Sequence, residues 1–244
     1  MGISLTCGRP PYRPTVGCLN TSSGLGRGLV FACFPGDGAV DLVTGLTPNQ
    51  FSGYSATATA FGPASLMTQA SNNAIYYGTY TPVVPANGYT LAAIAAPTNV
   101  GQVSALIGAR TSGGGDLLGL FVNTASNGTA AAGEFSLIEY SSGFLQQADN
   151  SSGPSVSDGK PHCYMGVRYP ASAVPKVYFD GIDATVGTDV ASAGNAVMPQ
   201  KWGVSGMESS ASQACDFPVV AAFAWNRSLS AAEALAFAIN PWRM

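Results

Sequence analysis

Residues 157–182 show the clearest alternation of apolar and polar positions in the chain. A polar turn at 157–160 leads into an alternating run at 161–169, and a second run at 177–179 ends at an Asp-Gly turn. Alternation with a period of two residues in neighbouring segments is typical of paired antiparallel strands. The pattern therefore predicts a β-hairpin.

Other short apolar or alternating segments, bounded by Gly, Pro, Ser and Asn, predict further strands along the chain. These segments are residues 29–34, 54–61, 74–77, 89–96, 103–110, 117–123, 134–140, 144–147, 202–205 and 217–225. About a dozen strands with regularly spaced turns favour a single all-β domain, a two-sheet antiparallel sandwich. Its core is expected to come from inward positions: Val30, Ile94, Ile107, Leu120, Met165, Val167, Val177, Phe179 and Phe223.

One short helix is predicted near the C-terminus. Ser230 and Glu233 have the spacing of a capping box, in which each side chain accepts a hydrogen bond from the backbone N–H of the other residue. Leu235, Phe237 and Ile239 follow as the expected apolar contacts, and a Pro at 241 ends the helix.

The composition points to a surface with few charges. Charged residues make up 9% of the 244 residues, whereas about 25% is usual. The exposed surface must then consist largely of small and neutral polar residues, which protect poorly against association. Such a surface suits a protein that packs among other subunits. No apolar run in the sequence is long enough to span a membrane.

Residues 1–26 read as an extended arm, and residues 27–244 as one domain. The arm is rich in proline, and with Arg27 it holds three arginines, including Arg9 and Arg13, before the first acidic residue, Asp37. Two interpretations are equally weighted: a disordered terminus, or an anchor held by these arginines on an acidic neighbouring subunit. Three arginines are too few to indicate nucleic-acid binding.

Five cysteines occur without a CxxC spacing. An odd number with this spacing indicates neither a zinc site nor a disulfide framework. The first residues also lack the apolar segment of a secretory signal. The simplest expectation is folding in a reducing cytoplasm.

Several segments resemble the laminin-G-like, concanavalin-A-like jelly-roll family. Residues 28–45 are similar to its opening strand, acidic turn and D-x-S/T-G segment, and residues 177–181 to its L-Y-V-D-G segment. Residues 223–233 carry its most specific pattern, I-Y-N-R-A-L-S-x-x-E. Residues 88–94 and 158–162 resemble F-T-I-S-A-W and D-G-x-W-H, with Pro161 in place of the usual Trp. The Asn-Pro-Trp ending and the basic arm resemble the tailed-bacteriophage members.

The resemblance implies a jelly-roll fold and, for some members, a structural calcium ion. The positions that match the family's calcium site are Asp37, Asp41 and Asp216, with backbone carbonyls supplying the remaining oxygens. The alternative is that Asp41 only caps its turn. No other cofactor is expected. Members of the family include lectins, glycanases and structural modules, so the fold does not fix the function.

The carboxylates give little support for catalysis. A glycosidase needs two carboxylates that flank the sugar, and the chain has four glutamates, Glu134, Glu139, Glu208 and Glu233, without an E-x-D-x-E cluster. Glu233 is assigned to the helix cap, and Glu134 and Glu139 point to opposite faces of one strand. His162 and Cys163 are neighbours on a strand and also face opposite ways. We expect no enzymatic activity.

Sugar binding would require exposed aromatic side chains beside polar groups. The candidates are Tyr76, Tyr77, Tyr80, Tyr140 and Trp202. The loops at 111–116 and 148–157 are candidates for a binding rim.

The first hypothesis is a non-enzymatic virion protein of a tailed bacteriophage, assembled in the host cytoplasm. As a capsid decoration or accessory module, it would contact major capsid or tail subunits or copies of itself. The second hypothesis is a tail-associated adhesin that binds a host surface glycan. A glycan hydrolase is the third and weakest alternative. No nucleic acid and no membrane insertion are expected.

Overall fold

The computed structural model describes most of the chain after residue 23. The described residues are 24–51, 53–68, 73–78, 82–98, 103–111, 116–124, 130–141, 144–150, 157–170, 174–190, 201–207 and 213–242, with residues 19, 21 and 80. They form two antiparallel sheets and one short α-helix, which confirms the predicted jelly-roll sandwich. Among these residues, no helix combines the length and the apolar character that crossing a membrane requires.

The first sheet contains eight strands. Along it, in spatial order, lie β13, β12, β11, β6, β16, β4 and β3, and β1 also pairs with β16. Their bounds are β1 Leu29–Cys33, β3 Tyr54–Thr59, β4 Gly62–Met67, β6 Tyr89–Ala95, β11 His162–Arg168, β12 Lys176–Phe179, β13 Ile182–Asp183 and β16 Val219–Trp225.

The second sheet also contains eight strands, in the spatial order β14, β10, β9, β8, β7, β15, β5 and β2. Their bounds are β2 Gln50–Phe51, β5 Ile75–Tyr76, β7 Ser104–Arg110, β8 Leu117–Thr124, β9 Ala130–Ser141, β10 Phe144–Asp149, β14 Gly187–Val190 and β15 Lys201–Val204. The 3-10 turns Gly24–Gly26, Pro35–Asp37 and Pro85–Asn87 connect parts of this framework.

The first sheet is buried on both faces, which explains why its central strands do not alternate in sequence. Every residue of β6 and β16 is buried. Leu91 and Ala93 face the second sheet, whereas Ala92 and Ile94 face a separate apolar layer beneath the helix. Strands covered on both faces read as continuous apolar runs.

The predicted core divides between these two apolar layers. Ile107, Leu120 and Val177 lie between the sheets, and Val30 and Phe179 are only partly buried against that layer. Four other predicted core residues instead lie on the outer face of the first sheet: Ile94, Met165, Val167 and Phe223. The sequence pattern of a two-layer sandwich did not predict this outer apolar layer.

The helix α1, Ala231–Ile239, covers that outer layer. The capping box is confirmed: the Glu233 backbone N–H donates to Ser230 Oγ at 3.3 Å, and the Ser230 N–H donates to Glu233 Oε2 at 2.9 Å. Phe237 packs edge-on against Phe223 and Trp225. The expected contacts of Leu235 and Ile239 were wrong. Both side chains are exposed, because positions 235, 237 and 239 do not share one helical face.

The segment predicted as one strand at 54–61 is instead the first arm of a hairpin. β3 turns at residues 60–61 into β4. Gly62 has φ +101°, a conformation that favours glycine. Pro63 is tolerated because it is exposed at the end of β4 and is not paired with β16.

Candidate functional site

Asp41 lies in a buried turn and is surrounded by hydrogen-bond donors. Its Oδ1 accepts the backbone N–H groups of Ala32 and Val43, each at 3.1 Å, and its Oδ2 accepts the Thr44 hydroxyl at 2.6 Å. The Tyr80 hydroxyl lies 3.4 Å from Oδ2 and 2.8 Å from the Val30 carbonyl oxygen. The carboxylate therefore ties β1 to the turn that follows it.

The structure does not bring the three predicted calcium ligands together. Asp37 is exposed in the turn Pro35–Asp37, and Asp216 is partly buried before β16. Within the described chain, no three His, Cys, Asp or Glu side chains are grouped to hold a metal ion. The arrangement therefore gives no support to a calcium ion at Asp37, Asp41 and Asp216, and the donors around Asp41 favour the turn-capping alternative.

His162 is held by two carboxylates at the start of β11. Its Nδ1 lies 2.7 Å from Asp180 Oδ2, and its Nε2 lies 3.1 Å from Asp158 Oδ1. The ring stacks on Phe179 with 4.6 Å between centroids. Asp180 Oδ1 also accepts the backbone N–H of Cys163 at 2.8 Å. His162 thus joins the 158–162 turn to the Asp-Gly turn at the end of β12, as a strand-start histidine would.

The described thiols lie in apolar surroundings, without the exposure that nucleophilic cysteines need. Cys33, Cys163 and Cys215 are free and buried. Burial raises the pKa of Cys33 to about 12 and raises the pKa values of Cys163 and Cys215 as well. The thiolate is the reactive form, so these side chains do not act as nucleophiles at neutral pH. Cys7 and Cys18 lie outside the described residues.

Glu139 belongs to a buried ion pair between the sheets. Its Oε2 accepts Arg168 Nε–H at 3.1 Å, and both side chains are 1% exposed. The Tyr89 hydroxyl donates to the same oxygen at 3.4 Å, and Arg168 also donates to the Tyr169 carbonyl oxygen. Glu139 therefore has a structural role and cannot reach a ligand.

The remaining glutamates have different surroundings. Glu233 Oε1 forms an ion pair with Arg227 Nη2 at 2.8 Å. This contact and the hydrogen bonds of the helix cap lower the pKa of Glu233 to about 2. Glu134 is partly buried at the start of β9. Burial and the nearby Asp149 carboxylate raise its pKa. Asp149 itself is fully buried, so the two do not form an accessible pair that flanks a sugar. Glu208 lies outside the described residues.

Of the five aromatic side chains considered for sugar binding, one is well exposed. Tyr76, Tyr77 and Trp202 are buried, and Tyr80 is half-buried against Asp41. Tyr140 is 41% exposed. It lies on β9, where Phe135, Leu137 and Glu139 face the other sheet, so the ring projects from the outer face of the second sheet.

Strand register brings four side chains into one line across this outer face. Tyr140 pairs with Leu117 of β8, Leu117 with Arg110 of β7, and Arg110 with Lys201 of β15. We call these four residues the Tyr140 row. Directly paired residues on antiparallel strands lie on the same face. The row therefore combines an exposed ring, a partly buried aliphatic side chain and two cations.

A small apolar cluster supports the row from beside it. Ala105, Phe121, Ile138 and Met207 are buried on this outer face, and Leu117 packs against them. Gly119 lies in the adjacent position on β8, where a Cβ atom would meet the Phe121 ring at 2.9 Å. The absence of a side chain at Gly119 thus leaves room for the Phe121 ring, which belongs to the cluster that Leu117 packs against.

The second loop predicted as a binding rim begins at a buried polar cluster at the far end of the same sheet. Asn150 Oδ1 accepts the Phe135 N–H at 2.5 Å. Asn123 Oδ1 accepts the Gly133 N–H and the Ser157 hydroxyl, each at 3.2 Å. These amides hold strand ends in place. Most of both predicted rim loops, residues 112–115 and 151–156, lies outside the described residues.

The predicted anchoring residues are only partly described. Arg27 is exposed, whereas Arg9 and Arg13 lie outside the described residues. The segment just before Arg27 is attached to β16: Trp225 Nε1–H donates to the Leu25 carbonyl oxygen at 2.7 Å, and Arg227 Nε–H donates to that of Arg27 at 2.6 Å. Residues 25–27 are therefore fixed to the domain.

Arg110, Leu117 and Lys201 were not predicted as site residues. Arg110 and Leu117 stand at the ends of predicted strands, and Lys201 directly precedes the strand predicted at 202–205. Only the pairing of β7 with β15, which are far apart in sequence, places Lys201 beside Arg110. A single sequence contains no signal for that pairing. The sequence offered one hint of an unpaired cation: a predicted strand ends at Arg110, and no acidic residue follows before Asp116.

Comparisons with known proteins identify the fold. No protein-family model matches the chain, and no curated protein sequence matches it. Among solved structures, domain 4 of an extracellular GH43 arabinanase from Geobacillus stearothermophilus, in complex with arabinotriose, has a TM-score of 0.59 at 15% identity. The match covers 86% of this chain and 98% of that domain.

Two other similar structures come from larger proteins. The binding domain of Paraclostridial Mosquitocidal Protein 1 has a TM-score of 0.63 at 10% identity, with 88% of this chain and 52% of that chain covered. Trypanosoma rangeli sialidase in complex with sialic acid has a TM-score of 0.57 at 17% identity, with 88% and 33% covered. The chain thus spans about half the length of the mosquitocidal protein chain and a third of the length of the sialidase chain. Such low identities establish the jelly-roll sandwich alone, and nothing in them indicates a phage origin.

Proposed function

We propose that this domain binds carbohydrate, without cleaving it, through the outer face of the second sheet. The observation that carries the proposal is the exposed Tyr140 ring, paired across the strands with Leu117 on the outer face of the second sheet. Sugar rings have apolar faces that pack on aromatic rings, while neighbouring polar groups bind the hydroxyls. The two cations of the row, Arg110 and Lys201, supply hydrogen-bond donors.

The comparisons support this proposal at the level of the fold. The arabinanase domain, which this chain matches over nearly its whole length, was solved in complex with arabinotriose. The same sandwich can therefore present a sugar-binding surface, although a fold by itself does not determine function. This support favours the carbohydrate-binding hypothesis over the purely structural one.

Binding without catalysis is proposed because the described glutamates are otherwise engaged or distant. Glu139 is in the buried pair with Arg168, and Glu233 caps α1. Glu134 lies six residues from Tyr140 along β9, about 20 Å at the usual rise per residue. These glutamates therefore do not form, at the Tyr140 row, the pair of flanking carboxylates that glycoside hydrolysis requires.

Replacing Tyr140 with alanine tests the proposal. We expect the Y140A variant to lose about tenfold or more in affinity for any glycan that the wild type binds, because it removes the exposed ring from the contact. Binding is to be measured first on a glycan array that includes arabinan oligosaccharides and then by calorimetry. The melting temperature should change little, since the ring is exposed.

The matched control is L235A, which removes a side chain of similar exposure (45%) from α1. This variant should bind as the wild type does. Equal loss in both variants, or wild-type affinity in Y140A, would contradict the assignment of the site to the Tyr140 row. Absence of binding to every glycan at millimolar concentration would contradict the function itself.

A second candidate is a virion structural protein, a capsid decoration or tail module held among other subunits. It is favoured by residues 42–109, which contain no charged side chain. Within them β3 is the last described strand at one edge of the first sheet, and Ala56 and Ala58 are exposed on it. Edge strands without charges pair readily with other chains.

The copy number of the chain in purified particles tests this candidate. Hundreds of copies per particle would indicate decoration, and a small multiple of three or six would indicate the tail. Absence from particles would reject this candidate.

A further inference from the structure

Arg110 is a half-buried cation without a partner. It stands at the end of β7, and its Nε is buried without a hydrogen-bond acceptor. It forms no ion pair with any described residue. Its nearest acidic residue in sequence, Asp116, is hydrogen-bonded through its backbone to Thr111 instead. Burial lowers the pKa of Arg110, although arginine remains charged at neutral pH.

A partly buried charge without a partner is costly, and protein interiors usually satisfy such groups. Of the other arginines in the described residues, Arg168 is paired with Glu139 and Arg227 with Glu233, whereas Arg27 is exposed. The terminal Nη1 and Nη2 groups of Arg110 are not among its buried unbonded atoms, so they are the donors that an acceptor from outside the chain can reach.

The chemistry of the guanidinium identifies the missing group. Its planar fork of N–H donors matches the two oxygens of a carboxylate, and such pairs form strong, charge-assisted hydrogen bonds. Lys201, the next residue in the row, adds a second positive charge to the same surface. The guanidinium charge of Arg110 favours an anion over a neutral ligand.

The row also has suitable dimensions. Leu117 lies between Arg110 and Tyr140 in the strand register. Because neighbouring strands are about 4.8 Å apart, the backbones at Arg110 and Tyr140 are separated by about 10 Å. A sugar ring that packs on Tyr140 and Leu117 would place a ring substituent at Arg110.

We infer that Arg110 makes the Tyr140 row selective for sugars that carry a carboxylate, that is, uronic or sialic acids, an inference that rests on the carbohydrate-binding role proposed above. Tyr140 and Leu117 hold the sugar ring, and Arg110 binds the carboxylate and sets the preference among sugars. Neutral glycans bind to the same row with lower affinity.

Matched ligand pairs test this selectivity in the full chain. Trigalacturonic acid is to be compared with its methyl ester, and 3′-sialyllactose with its methyl ester, so that the members of each pair differ only in whether the carboxylates are ionised or esterified. Calorimetry is to be performed on the wild type, R110Q, R110K and the control K160Q, which removes an exposed cation from another part of the molecule. Melting temperatures verify that each variant is folded.

For at least one pair, we expect the wild type to bind the acidic sugar about tenfold or more tightly than its neutral partner. R110Q should lose this preference, because its affinity should fall much more for the acidic sugar than for the neutral one. R110K should keep a reduced preference for the acidic sugar, because lysine retains the positive charge but lacks the planar set of N–H donors of the guanidinium. K160Q should behave as the wild type.

Two results would overturn the inference and leave the carbohydrate-binding role intact: equal binding of acidic and neutral sugars by the wild type, or an undiminished preference in R110Q. A wild type that binds neither member of any pair, nor any glycan on the array, would overturn both the role and the selectivity. Higher salt should reduce the preference for the acidic sugar, because the contact is electrostatic.

Discussion

Replacement of Arg168 with methionine is expected to lower the free energy of unfolding by about 3–5 kcal/mol. The substitution leaves the Glu139 carboxylate between the sheets, 1% exposed, with the Tyr89 hydroxyl at 3.4 Å but without the guanidinium. The methionine fills much of the volume, so the loss comes mainly from an uncompensated buried charge. Urea denaturation at neutral pH, followed by tryptophan fluorescence, measures the change.

The dependence on pH separates this cause from a packing defect. Without Arg168, burial raises the pKa of Glu139 above the value it has in the unfolded chain. The folded variant then binds a proton more tightly than the unfolded one, so its stability deficit should shrink as the pH falls from 8 to 5. A deficit that is independent of pH would indicate lost packing instead.

Two control variants complete this test. The double variant R168M/E139L removes both charges and should recover much of the stability, since apolar groups can replace a buried pair at little cost. K176M breaks the exposed pair with Asp183, whose side chain lies 2.5 Å from the ammonium group, and should cost no more than about 1 kcal/mol. An R168M deficit as small as that of K176M would show that Glu139 does not become an uncompensated buried charge in this variant.

The long central strands were predictable from sequence, because they are apolar or alternating segments bounded by turn residues. β11 was predicted within one residue at each end. β13 and β14 were not predicted, since each is a short edge strand, and both residues of β13 are exposed. Edge strands are defined by backbone pairing, and side-chain patterns record that pairing poorly.

The candidate site was predictable only in part for a similar reason. Tyr140 was among five aromatic candidates, but exposure distinguishes it, and exposure depends on which face of β9 meets the other sheet. Glu139, one residue before it, was weighed as a catalytic acid and instead completes a buried pair with Arg168, 29 residues away. Such partners are brought together by the tertiary fold alone.

Substitution of Asp41 by alanine is expected to cost about 3–5 kcal/mol, which corresponds to a fall of about 6–20 °C in melting temperature for a domain of this size. Three donors lose their acceptor at once: the N–H groups of Ala32 and Val43 and the Thr44 hydroxyl. Asp41 itself is fully buried, so water does not readily replace the carboxylate. Thermal unfolding by circular dichroism measures the change.

The matched variant D41N distinguishes hydrogen bonding from metal binding at this turn. Its amide oxygen can still accept the Ala32 and Val43 N–H groups, so we expect a smaller loss, about 1–2 kcal/mol. A chelator should leave the wild-type melting temperature unchanged if hydrogen bonds alone hold the turn. A lower melting temperature in chelator, restored by calcium in the wild type but not in D41N, would instead show a calcium ion bound at Asp41. The turn would then require oxygen ligands beyond Asp37 and Asp216, because these three carboxylates are not grouped in the structure.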